Sequence, residues 1–226
     1  MVERTLDVSV VIATRNRAQQ LACAVDSALA QKPRVREVIV VDDGSTDGTP
    51  ELMAAWARDE PRLRYSRLSD NIGIPEYVRN RAAESALGSW LAFLDNDDEW
   101  LPGKIEAQAA WLGKEYDVVG GSALSPDGRL YLSAEKIPRF PTLDQILRNN
   151  LIVPSSALVR KAACDSARGF SGRRGDVGVE DPAVVANALL RRGARRAAQP
   201  ADREVRISAH QRIGPSIRAA VAEDSS

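Results

Sequence analysis

Two apolar runs in this chain end abruptly in clustered carboxylates. Glu37-Val-Ile-Val-Val41 runs into Asp42-Asp43, and Trp90-Leu-Ala-Phe-Leu94 runs into Asp95-Asn96-Asp97-Asp98. Short β-branched or apolar runs of this kind read as buried parallel strands. A buried strand does not ordinarily finish in like charges, because they repel and burying one without a partner is costly. A divalent cation answers both problems, since Mg²⁺ and Mn²⁺ favour carboxylate oxygens and bridge to phosphates. The alternative for Asp95–Asp98 taken alone is a solvated acidic turn.

The surrounding pattern alternates strand and helix. Val8–Ala13 reads as a first strand, and Ala18–Gln31 as a helix with Leu21, Val25, Ala28 and Leu29 on one face. Pro33 stops it. Glu37–Val41 is the second strand, and Thr49–Arg58 the second helix, with Thr49 as N-cap and Pro50 near N1. Leu63–Ser66 is a short third strand, Asn71–Gly73 a turn, and Pro75–Leu87 a third helix ended by Gly88. Trp90–Leu94 is the fourth strand. This order implies a parallel sheet with crossover helices. All strand C-termini of such a sheet lie on one edge, where ligands bind. Asp42, Asp43, Asp95 and Asp97 are therefore expected to face one crevice and to hold a metal against something phosphorylated.

The second half is less regular. Asp117–Ala123 reads as a strand. Val118–Leu124 and Leu130–Ser133 flank the turn Ser125–Arg129 as a hairpin. Leu143–Asn149 reads as a helix and Ser155–Val159 as a strand. The Gly-, Arg- and Ser-rich stretch Gly169–Gly178 reads as a mobile loop. Glu180-Asp181-Pro182 opens a helix through Leu190, and the tail after Gly214 frays or docks.

Composition narrows the partners. Of 226 residues, 31 are Lys or Arg and 31 Asp or Glu, so no overall basic field points to nucleic acid. Cys23 and Cys164 lack metal-ligand spacing, and a reduced cytosolic protein is the simplest reading. No secretion signal is evident, and no apolar run approaches the roughly 18–20 residues that span a bilayer. A cytoplasmic location is expected, with room for a peripheral membrane role.

Three segments together resemble the family 2 glycosyltransferases of the GT-A fold. They are Val8-Ser-Val-Val-Ile-Ala-Thr-Arg-Asn-Arg17, Val40-Val-Asp-Asp-Gly-Ser-Thr-Asp47 and Ala92-Phe-Leu-Asp-Asn-Asp-Asp-Glu-Trp-Leu-Pro102. Asn71-Ile-Gly73 and Arg79-Asn80 between them match as well, and Gly169-Phe170 followed by Glu180-Asp181 looks like the acceptor-side motif. The resemblance implies an α/β fold with a Rossmann-like, mostly parallel sheet flanked by helices and a smaller mixed acceptor-side region. It implies one continuous domain, with residues 1–113 binding a nucleotide-diphosphate sugar and 114–226 binding an acceptor.

It also implies roles. Asp43 would accept a hydrogen bond from the base edge, with Asp42 supporting its loop. Ala13, Thr14, Arg15 and Asn96 would line the donor site, and Arg79 would approach the base or the phosphates. Asp95 and Asp97 would form the DxD motif, with Asp97 the direct ligand of Mn²⁺ or Mg²⁺. Asp181 would be the general base of an inverting displacement by an acceptor hydroxyl, on a small molecule, glycan or lipid-linked carrier. The alternative for Asp181 is a helix N-terminal acidic cap, and the two roles can coexist. His210, the single histidine, stands where a late histidine of the family approaches the metal or diphosphate; the alternative is an ordinary packing residue. Trp100 either packs in the core or stacks on a sugar. Arg15 departs from the family pattern, where an aromatic is frequent, so the donor base stays open, with UDP the first choice. A nucleotidyltransferase is the competing enzyme class, but Thr14–Arg17 has no glycine for a phosphate loop. A catalytically inactive nucleotide-sugar-binding module is the non-enzymatic alternative.

Overall fold

The computed structural model describes residues 5–112, 116–124, 129, 152–166, 169–170, 197–198 and 207–209. Along the chain run β1 (Thr5–Thr14), α1 (Ala18–Leu29), β2 (Arg34–Asp42), α2 (Thr49–Asp59), β3 (Leu63–Arg67), α3 (Pro75–Ser85) and β4 (Trp90–Phe93). Then come β5 (Asp98–Trp100), α4 (Lys104–Ala109), β6 (Val118–Val119), a 3₁₀ turn (Pro154–Ser156), β7 (Leu158–Arg160), α5 (Lys161–Ser166), β8 (Ala197–Ala198) and β9 (Ile207–Ala209).

The main sheet has the order β3-β2-β1-β4-β7-β6-β8. β1 pairs in parallel with β2 and β4, and β2 with β3. β7 turns the sheet by pairing antiparallel to β4 and β6. The sheet is thus parallel through its first half and mixed beyond β4. A separate two-stranded pair joins β5 to β9, antiparallel, with Ala209 opposite Asp98.

Alternation along the strands feeds two cores. Val8, Val10 and Ile12 of β1 pack with Leu21 and Val25 of α1, Met53 of α2 and Ile105 of α4. Val11 faces the other way, with Ile39, Val41, Phe93 and Val78 of α3. Helices cover both faces, which is why these strands read as continuous apolar runs. Burying each Val or Ile fully stabilises the fold by about 1.5–3 kcal/mol.

Several local expectations are corrected. Helix α2 has Gly48, not Thr49, at its N-cap: Thr49 is already helical and buried, and its N–H is accepted by Asp47 Oδ1 in the preceding turn at 3.0 Å. Helix α1 ends at Leu29 and α3 at Ser85. Gly88 is small for another reason: a Cβ there would stand 2.7 Å from the Ser9 backbone nitrogen. Strand Asp117–Ala123 shrinks to Val118–Val119. Residues 155–159 do not form one strand, because Pro154 opens a 3₁₀ turn and the strand begins at Leu158. The strand at 130–133, the helices at 143–149 and 182–190, residues 171–178, the tail after 214, and Glu180, Asp181 and His210 lie outside the described residues.

Candidate active site

The C-terminal ends of β1, β2 and β4 open into one cavity of about 280 Å³. Ala13, Thr14, Arg15, Asp43, Arg79, Asp95, Asn96 and Asp97, each expected there, line it together, joined by Arg17, Pro75 and Val78. Topology brings them to one edge across more than eighty residues of sequence.

Asp42 is not among them. It is wholly buried. Its Oδ1 accepts from the Ser45 N–H at 2.8 Å, and its Oδ2 accepts from the Tyr65 hydroxyl at 2.7 Å. Neighbouring residues at a strand end point to opposite sides, so Asp42 and Asp43 cannot both face the crevice. Burial and the bond to Asp42 push the Tyr65 hydroxyl pKa well up, so it stays a donor.

Asp43 clamps the turn after β3. Its two carboxylate oxygens accept the Ile72 and Gly73 N–H groups at 2.7 and 2.8 Å. Each oxygen carries a second lone pair, so the carboxylate retains capacity toward a ligand. Gly44, with φ of +70°, lets this turn close: a Cβ would meet the Asn71 nitrogen at 3.1 Å.

The β1–α1 and β2–α2 loops are tied to each other. Asn16 donates its N–H to Ser45 Oγ at 2.8 Å, and its Oδ1 accepts the Thr46 N–H at 2.7 Å. Asp47 Oδ2 accepts the Ala18 N–H at 3.3 Å. Across the cavity, Asn96 Nδ2 donates to Thr14 Oγ1 at 3.2 Å.

The acidic motif divides by direction. Asp95 and Asp97 face the cavity, each met by an arginine: Arg79 Nη2 at 2.6 Å from Asp95 Oδ1, and Arg17 Nη1 at 2.8 Å from Asp97 Oδ2. Asp98 turns inward and is buried, and it accepts the Ser155 hydroxyl at 2.6 Å. Ser155 Oγ in turn accepts the Asp95 N–H at 3.0 Å. The buried Asp98 thus holds the backbone of the half-buried Asp95 through a serine sixty positions away. Trp100 is buried and donates its Nε1–H to Ser155 O, which makes it a core residue and not a sugar platform. Lys104, fully buried over the Trp100 ring at 3.9 Å, has its amine pKa driven well down by desolvation.

Gly169 and Phe170, the start of the expected mobile loop, are docked on α3. Asn80 donates to Phe170 O at 2.9 Å and accepts the Phe170 N–H at 2.8 Å. Phe170 packs edge-on against Phe93 at 4.9 Å. Gly169 has φ of +69°, and a Cβ there would collide with Asn80 Oδ1. Gly169→Ala is therefore expected to break this clamp and destabilise the protein by about 1–3 kcal/mol. Urea unfolding monitored by tryptophan fluorescence measures it; an unchanged midpoint would show that the clamp contributes nothing.

The donor set suits a hard cation. Among the described residues no three His, Cys, Asp or Glu side chains form a closed cage. Two carboxylates on an open cavity wall are instead the arrangement that Mg²⁺ or Mn²⁺ completes with phosphate oxygens and water.

Sequence reasoning missed Arg17, Asn16, Ser45, Asp47, Asn80 and Ser155 as site-building residues. All but Ser155 lie inside the family motifs, and the roles of Arg17 and Asn80 depend on partners eighty and ninety positions away.

The chain belongs to glycosyl transferase family 2, whose model matches residues 9–164. Its fold is the GT-A fold. It is 35% identical over 161 residues to the succinoglycan biosynthesis protein ExoO of Rhizobium meliloti, covering 68% of this chain and 45% of that protein. The crystal structure of S. aureus TarS residues 1–349 superposes with a TM-score of 0.75 at 25% identity, over 90% of this chain and 60% of that TarS chain. TarS has also been solved with UDP-GlcNAc. The mannosyltransferase PcManGT of Pyrobaculum calidifontis, solved with GDP-Man and Mn²⁺, has a TM-score of 0.70 at 20% identity, over 94% of this chain and 58% of PcManGT. The chain spans about half the length of the curated relatives it matches. Among the described residues no helix is long and apolar enough to cross a membrane.

Proposed function

We propose that this chain transfers a sugar from a nucleotide-diphosphate donor to an acceptor hydroxyl, with inversion and with a divalent cation. The observation that carries the reading is the convergence of Asp43, Arg79, Asp95 and Asp97 on one cavity in a family 2 chain. Residues 1–113 hold the donor and 114–226 the acceptor. UDP is the first choice of base, supported by the UDP-GlcNAc complex of TarS. Arg15, in place of an aromatic, leaves the base to be read by hydrogen bonds to Asp43 and not by stacking.

The residues divide the work. Asp43 and Thr14 orient the nucleoside. Arg79 and Arg17 neutralise the diphosphate oxygens, where paired guanidinium contacts are strong. A divalent cation held by Asp97 and Asp95, of which Mn²⁺ is present in PcManGT, would offset charge developing on the departing diphosphate. Asp181 takes the proton of the acceptor hydroxyl as its oxygen bonds to the anomeric carbon and the bond from that carbon to the diphosphate breaks. One displacement inverts the anomeric centre.

The test needs no knowledge of the acceptor. Slow hydrolysis of an α-linked UDP-sugar, with water as acceptor, is followed by proton NMR faster than mutarotation. The β-anomer is expected first. First-formed α-sugar would overturn the inverting reading, and no turnover across UDP-, GDP- and TDP-sugars would favour an inactive binding module.

A further inference from the structure

Both carboxylates proposed for the cation are already engaged by arginine. Arg17 closes the β1–α1 turn and reaches Asp97 at 2.8 Å, while Arg79 reaches Asp95 from α3 at 2.6 Å. A divalent cation drawn to Asp97 meets a fixed positive charge beside the same carboxylate. Charges of one sign within such a distance repel, so cation and guanidinium compete for Asp97.

Arg17 is able to leave. Its side chain is 45% exposed, and an ion pair so exposed holds weakly. Its backbone role, accepting the Leu21 N–H at 2.9 Å, does not depend on the side chain. The cavity it lines offers a second partner whenever a diphosphate enters, because a guanidinium fits phosphate oxygens in a fork.

We infer that Arg17 is an exchange residue: it neutralises Asp97 while the cavity is empty and passes to the diphosphate when the donor arrives, releasing Asp97 to the cation. This rests on the proposed reading of the cavity as a site for a nucleoside diphosphate and a divalent cation. Binding of the cation alone then carries the cost of displacing Arg17, and binding with nucleotide does not. By reciprocity the nucleotide and the cation raise each other's affinity by the same factor.

The experiment titrates Mn²⁺ into the full chain with and without saturating UDP, reading free Mn²⁺ by electron paramagnetic resonance. In Arg17→Gln, Mn²⁺ alone is expected to bind about two- to fivefold more tightly than in wild type. Its affinity in the presence of UDP does not improve, so the coupling factor shrinks. Arg81→Gln removes the same charge from an exposed position of α3 that pairs with Glu84 and lies outside the cavity, and is expected to keep the wild-type coupling. Unchanged Mn²⁺ affinity in Arg17→Gln overturns the exchange, as does an equal gain in Arg81→Gln, which would mark a general effect of charge. A wild-type chain that binds neither Mn²⁺ nor UDP overturns the functional reading itself, before any variant is compared.

Discussion

Asp97→Ala is expected to lower sugar transfer by at least about 10²–10³-fold, the scale of losing one strong electrostatic contact to the leaving group. The loss should appear together with loss of metal-dependent nucleotide binding. Asp97 sits on the cavity wall with its carboxylate paired to Arg17, outside both apolar cores, so the fold should survive. Asp98→Asn is the contrast. Asp98 is buried and acts through Ser155 on the Asp95 backbone. An asparagine keeps an oxygen to accept the Ser155 hydroxyl, so the effect on transfer should stay within about tenfold while stability falls. Steady-state rates and melting temperatures of the two variants check this pair. Near-normal turnover in Asp97→Ala would remove it from the metal site.

Asp181→Asn is expected to cut kcat by about 10²–10⁴-fold with donor affinity nearly intact. The substitution keeps shape and removes proton affinity, so it separates chemistry from packing. Measuring kcat and UDP affinity on the same folded preparation distinguishes three results. Loss of kcat alone supports the base. Turnover within a few-fold of wild type returns Asp181 to the helix-cap reading, and loss of donor affinity moves it into the cation's shell.

The parallel half of the fold was legible because its strands are buried on both faces. Val8–Ala13, Glu37–Val41 and Trp90–Leu94 needed no alternation to be recognised, and the carboxylates after two of them marked the ligand edge. Asp42 shows the limit. It shares its dipeptide with Asp43, yet strand alternation sends it into a buried bond with Tyr65. That period was available from the sequence and outweighed the shared-edge argument. Arg17, Asn80 and Ser155 were illegible for another reason. Each acts through a partner sixty to ninety positions away, and no local pattern encodes such a pairing. Beyond β4 the described strands shorten to two or three residues, as in β6 and β7, where periodicity has nothing to count. Pro154 was the one local signal there, and it turned an expected strand into a 3₁₀ turn.

On the proposed function, one cavity binds a nucleoside diphosphate and a divalent cation as a unit. Calorimetric titration of UDP into the full chain with Mn²⁺, repeated after chelation, tests it most directly. UDP is expected to bind at least about tenfold more tightly with the metal present, within the usual range of coupling between sites. Equal UDP affinity in the two titrations would contradict it.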